Sequence, residues 1–153
     1  MLELVATLVI VVSSVLLFGY WFRYTCLLIL SAKTARDFAG DVAQANQLSF
    51  REVQADLNST RTSNESLDRL LQSLDRDYSV INYLLAHTAG EASSENALEK
   101  RMLQIHYRLM RTWYSLSRQL SHQAACRALS EMALVVSHFA NSMGERAAAA
   151  AAA

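Results

Sequence analysis

The chain has 153 residues with 14 basic and 14 acidic side chains, enough for one domain and at most one appended element, and its zero net charge gives no general pull toward nucleic acid. It contains no proline and only four glycines, so few positions can break a helix and an almost entirely helical fold is expected. The two cysteines, Cys26 and Cys126, lie far apart, form no CxxC or ligand pair, and read as structural thiols.

The first element is apolar. Leu4 to Phe22 is a stretch of 19 residues without a charge, close to the roughly 20 a helix needs to cross a hydrocarbon core. No basic residue precedes it, and Ser31-Ala32 lies too far downstream to serve as a leader cleavage site. The expectation is therefore a transmembrane helix with its extension, residues 1–32. Tyr20, Trp21 and Tyr24 surround Arg23. Amphipathic rings favour the headgroup layer, and an arginine there can keep its stem apolar while its charge meets water. These four residues are read as membrane-boundary anchors. Lys33 and Arg36 follow, whereas the other flank carries only Glu3, which places the N-terminus outside and the remainder in the cytoplasm. The CLLIL run from Cys26 to Leu30 continues the apolar surface past this boundary and asks for cover by lipid, by the protein's own bundle or by another subunit.

Residues 33–146 then read as a cytoplasmic up-and-down bundle with helices near 33–57, 65–89, 95–120 and 122–143. In the first, Ala32, Ala35, Ala39 and Ala43 share a face on which another helix could pack closely. This helix is expected to reach Gln47, where Ser49-Phe50-Arg51-Glu52 fits a capping box that starts a further turn or two. The polar run NSTRTSNES (58–66) is a loop. In the second helix Leu67, Leu71, Leu74, Tyr78, Ile81 and Leu85 form one seam, ending at Ala89-Gly90. The third carries Leu98, Met102, Ile105, Leu109, Trp113, Leu116 and Leu120 as its apolar stripe, taken as its core face. Ser121 caps the fourth, where Ala125, Leu129, Met132, Val136, Phe139 and Met143 repeat the pattern before Gly144. Ala147 to Ala153 is an alanine tail from which no function is read.

At 100° per residue, Tyr107, Arg111, Tyr114 and Arg118 fall on the side of the third helix opposite its apolar stripe. Tyrosine and arginine are over-represented at binding hot spots, so this set is the candidate docking stripe. Lys100 to Ser130 holds six basic residues and no carboxylate, while Asp41 to Asp77 holds seven carboxylates and four arginines. A hairpin centred near Ser93 would bring Asp77 level with Arg108 and neutralise part of this; Arg111 and Arg118 are then either covered by the chain itself, with this helix central, or met by an anionic partner such as acidic lipid headgroups.

Catalytic patterns are absent from the sequence. There is no phosphate-binding glycine loop, no H-E-x-x-H and no E-x-x-H. His122 and Cys126 are four apart, which gives two ligands and no metal site. The membrane segment lacks histidine and lacks a carboxylate between Leu4 and Ala32, so neither an axial cofactor ligand nor a proton relay is expected in it. No cofactor, metal or catalytic residue is expected, and nucleic acid is not an expected partner. The sequence points to a non-catalytic accessory or scaffolding subunit of a larger membrane complex, with other subunits and the bilayer as partners. The alternative is a self-associating, membrane-anchored signalling or adaptor module.

Overall fold

The computed structural model describes residues 1–32, 37–58, 64–87 and 94–152, with six helices and no strand among them. In chain order these are α1 (Leu2–Ser31), α2 (Ala39–Asn46), α3 (Phe50–Asn58), α4 (Asn64–His87), α5 (Ser94–Leu120) and α6 (His122–Ala152). The fold is all-α, as the composition requires. The chain divides into two compact units, Met1–Lys33 and Thr34–Ala153. Lys33, Ala35 and Arg36, the expected stop at Ala89-Gly90 and the expected hairpin centre at Ser93 lie outside the described residues.

The first unit is α1, a helix long and apolar enough to cross a membrane. Thr7, Ser14 and Thr25 return their hydroxyls to the carbonyl four residues back, which satisfies these three side chains locally. The helix ends one residue short of the expected 32: Ala32 turns to an extended conformation (φ −62°, ψ 120°).

In the second unit α6 is the central helix, with α2, α3, α4 and α5 all packed on it. Between Ala125 and Gly144 it is buried on most of its circumference, leaving only Arg127, Ser130 and Leu134 exposed beside Glu145. Small residues make this possible. Ala125, Ala128, Ala133, Ala140 and Gly144 are all buried and let neighbouring helices come close. The seams expected on α4 and α6 are in place: Leu67, Leu74, Ile81 and Leu85 are buried on one, and Leu129, Met132, Val136 and Phe139 on the other. Ser121 caps α6 through its hydroxyl, which accepts from the Ala124 N–H at 3.4 Å.

The segment expected over 33–57 breaks after Gln47 as expected, because Gln47 takes a left-handed conformation (φ 52°) and Leu48 N–H returns to the Ala43 carbonyl at 2.9 Å. Two local expectations need correction. Gly144 does not end the last helix, which runs on to Ala152; it is a close-approach site where a side chain would collide with Phe38 Cβ. The capping box at Ser49 is replaced by a tertiary bond: Asp77 of α4 accepts the Ser49 N–H at 2.7 Å, while Glu52 is exposed. A carboxylate at a helix start meets both unsatisfied N–H groups and the positive end of the helix dipole.

Phe38 links the start of the bundle to its end. Its N–H donates to Asn141 Oδ1 of α6 at 2.7 Å, beside the contact of its ring with Gly144. Because the clash would be with Cβ, which cannot swing aside, Gly144→Ala is expected to destabilise the bundle by about 1–3 kcal/mol. Thermal melts followed by circular dichroism would read this as a lower midpoint; an unchanged midpoint would contradict the packing.

Asp77 yields a second expectation. Burial pushes its carboxyl above the usual range, and the bonds from Ser49 and Phe50 only partly offset this. A carboxyl whose folded pKa is raised contributes stability that is present below the unfolded value and lost as pH rises through the folded one. Asp77→Asn keeps an acceptor without a buried charge, so at neutral pH it should be at least as stable as the parent, and the gap should close on acidification. Asp77→Ala leaves the Ser49 N–H without its acceptor and should cost about 1–3 kcal/mol. Melts of the two variants across pH check both signs.

Candidate functional site

On α5 the structure reverses the sequence reading. Tyr107 and Tyr114 are 2% and 1% exposed, whereas Leu98, Ile105, Leu109, Trp113, Leu116 and Leu120 are between 46% and 86% exposed. The inner face is built from Leu103, Tyr107, Met110, Tyr114 and Ser117, at steps of four and three, with His106 beside them.

The reason is a pair of matched polar clasps between α4 and α5. Tyr107 OH donates to Asp75 Oδ1 at 3.0 Å, and Arg111 Nε reaches both oxygens of the same carboxylate at 3.2 and 3.0 Å. One heptad away, Tyr114 OH donates to Asp68 Oδ1 at 2.9 Å and Arg118 reaches the same oxygen at 2.9 Å. Tyr78 stacks on Tyr107 with ring centroids 3.8 Å apart and planes 4° from parallel. Burial, with the neighbouring carboxylates, pushes the Tyr107 phenol far above its ordinary value and that of Tyr114 up to about 12. Both therefore stay donors at any physiological pH.

The expected docking stripe Tyr107, Arg111, Tyr114 and Arg118 is thus an internal seam, and its opposing anion is the protein's own α4. The expected Asp77–Arg108 pair is corrected too, since Asp77 serves the start of α3. The antiparallel register was nonetheless right. Asp75–Arg111, Asp68–Arg118 and the 2.7 Å bond from Gln104 to Asn82 are all centred on position 93.

The exposed face is the feature that sequence reasoning assigned wrongly. A helix that is apolar all round is commonly a buried one, whereas α5 buries one face and exposes the other among the described residues of the bundle. Monomeric proteins rarely leave contiguous apolar patches above a few hundred Å² open to water, and larger ones mark interaction sites. Six large side chains in one line reach that scale.

The other expected site residues fall as follows. Tyr20, Trp21, Arg23 and Tyr24 are exposed on α1, with the three rings in mutual contact at centroid separations of 6.0 to 6.4 Å. Ala39 and Ala43 are buried on α2, which packs on α6. Ala32 is exposed at the end of α1, so the expected continuous alanine face is interrupted.

Two His–Glu pairs join α5 to α6 and were not foreseen. His138 Nε2 lies 2.7 Å from Glu99 Oε1, and His106 Nε2 lies 3.4 Å from Glu131 Oε2, with the His106 side chain fully buried. The signal was available as Glu-x6-His in both helices, Glu99/His106 and Glu131/His138, which an antiparallel pairing exchanges. His138 and Glu99 line a cleft of about 280 Å³ with Lys100 and Ser142. His122 Nε2 and Cys126 Sγ are 3.5 Å apart, and no group of three metal-ligating side chains occurs among the described residues.

The fold and site define an all-α bundle and one long apolar helix, with an exposed apolar face on α5 of the bundle. Compared with known proteins, the chain matches no family model, no curated protein and no solved structure.

The clasps predict a specific cost. Asp68→Ala or Asp75→Ala strands the hydroxyl of a buried tyrosine and should lower stability by about 1–3 kcal/mol. Arg111→Ala or Arg118→Ala, whose guanidinium groups are half exposed, should cost less than about 1 kcal/mol. Chemical denaturation of the four variants ranks them; equal losses would mean that the ion pairs, not the phenol bonds, hold the seam.

Proposed function

We propose that the protein is a non-catalytic scaffolding subunit of a membrane complex, acting by binding. In this reading α1 spans the bilayer with the N-terminus outside, held at depth by Tyr20, Trp21, Arg23 and Tyr24, and the bundle stands in the cytoplasm. The orientation is supported by Arg23, Lys33 and Arg36 on one flank against Glu3 alone on the other. The observation that carries the reading is the uncovered face of α5, which has the extent and the aromatic and aliphatic content of a protein-docking surface.

The test is purification of the full chain from its membrane in mild detergent, with particle mass and chain stoichiometry measured together. A fixed-ratio assembly is expected. Ile105→Glu with Trp113→Glu should then reduce the particle to a single chain while membrane retention and helicity persist, since both side chains are half exposed. An assembly unchanged by this double variant would overturn the assignment of α5 as the docking face.

A further inference from the structure

The basic side chains divide sharply by exposure. Among the described residues, every arginine and lysine is exposed except Lys100 on α5 and Arg146 on α6, which are half-buried. Both line the same cleft of about 280 Å³, bounded by the last turn of α4, the start of α5 and the C-terminal half of α6. Neither has an ion-pair partner among the described residues, whereas the exposed Arg51, Arg111 and Arg118 each have one. Drawing a cation partly out of water without a counter-charge is unfavourable, so two cations drawn to one cavity mark an unmet need for an anion. We propose that this cleft binds a small organic monocarboxylate, its carboxylate met by Lys100 and Arg146 and its short hydrocarbon body resting on Leu85 and Phe139.

The other walls narrow the class. Leu85 and Phe139 are almost wholly buried and supply an apolar floor. The two carboxylates at the cleft are already engaged: Glu99 Oε1 lies 2.7 Å from His138 Nε2, and Glu145 Oε1 accepts from Asn141 Nδ2 at 3.2 Å. They still oppose a second negative charge on the ligand, since like charges brought together are costly. A monoanion therefore fits better than a phosphate dianion. A metal ion fits worse again, because no group of three metal-ligating side chains occurs among the described residues. Pockets for drug-sized ligands enclose ~300–1,000 Å³, with a mostly apolar lining and a few polar groups that fix orientation. This cleft falls just below that range, which calls for a smaller molecule of the same design. Because Lys100 and Arg146 stand on different helices, a bound carboxylate would tie the start of α5 to α6 beside the Glu99–His138 pair. The site is independent of what the outer face of α5 meets.

Calorimetric titration of the detergent-purified full chain with benzoate tests this, alongside the double variant Lys100→Gln with Arg146→Gln in the same detergent. Benzoate is expected to bind the parent. The double variant should bind it roughly tenfold or more weakly, with helicity unchanged because both side chains reach the surface. Benzamide, the neutral isostere, and inorganic phosphate, a charge without a hydrocarbon body, should each bind the parent roughly tenfold or more weakly than benzoate does. Equal binding of benzoate by parent and double variant, or binding to neither, would overturn the site. Benzamide binding as tightly as benzoate would overturn the role given to the two cations. Phosphate binding as tightly as benzoate would overturn the monocarboxylate assignment and the apolar floor with it.

Discussion

Two phenol hydroxyls set the orientation of α5, and most of the second unit follows from them. Tyr107 and Tyr114 are almost wholly buried, and a buried hydroxyl without a partner costs more than a typical hydrogen bond contributes. Asp75 and Asp68 meet that need from the facing helix, and because they are seven residues apart they meet it twice in the same geometry. The arginines at the rim complete each clasp but are half exposed and screened, so they tune the seam more than they hold it. Turning α5 so that its leucines face inward would bury more hydrocarbon and leave the two carboxylates facing it without their phenol donors. The polar match decides the face, and the hydrocarbon of α5 is left exposed.

Around that seam the bundle is organised by size. α6 can be central because alanines and a glycine recur along it, and its larger residues, Leu129, Met132, Val136 and Phe139, fill the space between the helices packed on it. The long side chains lie between α4 and α5, where tyrosine and arginine bridge the gap. Two of the buried polar groups are placed where helix ends need them: Asp77 at the start of α3, and Asn141 at the start of α2.

The helical class and the seams of α4 and α6 were legible because they rest on composition and periodicity, which survive any choice of partner, and the antiparallel register because so few residues separate α4 from α5 in the sequence. The inward face of α5 was not. Two stripes compete on that helix, and hydrophobicity favours the wrong one. What separates them is a correspondence between elements: two aspartates one heptad apart on α4 against two Tyr-x3-Arg sets one heptad apart on α5. Similar reasoning explains the other misses. Ser49 and Glu52 carry a local capping signal, but Asp77, distant in sequence, takes the Ser49 N–H. Gly144 looks like a stop because the side chain that needs its bareness, Phe38, lies far upstream. Signals confined to one helix were readable; those that depend on a second helix were not.

The central position of α6 has a consequence for how the protein comes to be made. Every helix it packs with precedes it, and the bond from Phe38 to Asn141 spans 103 residues. At about 5–20 residues per second of synthesis, α2 waits roughly 5–20 s for the helix that will cover it. During that interval the inner faces of α2 to α5 lack the helix on which they pack. The bundle is thus a late-closing structure whose keystone is laid last, and its assembly is timed by translation as much as by its own contacts.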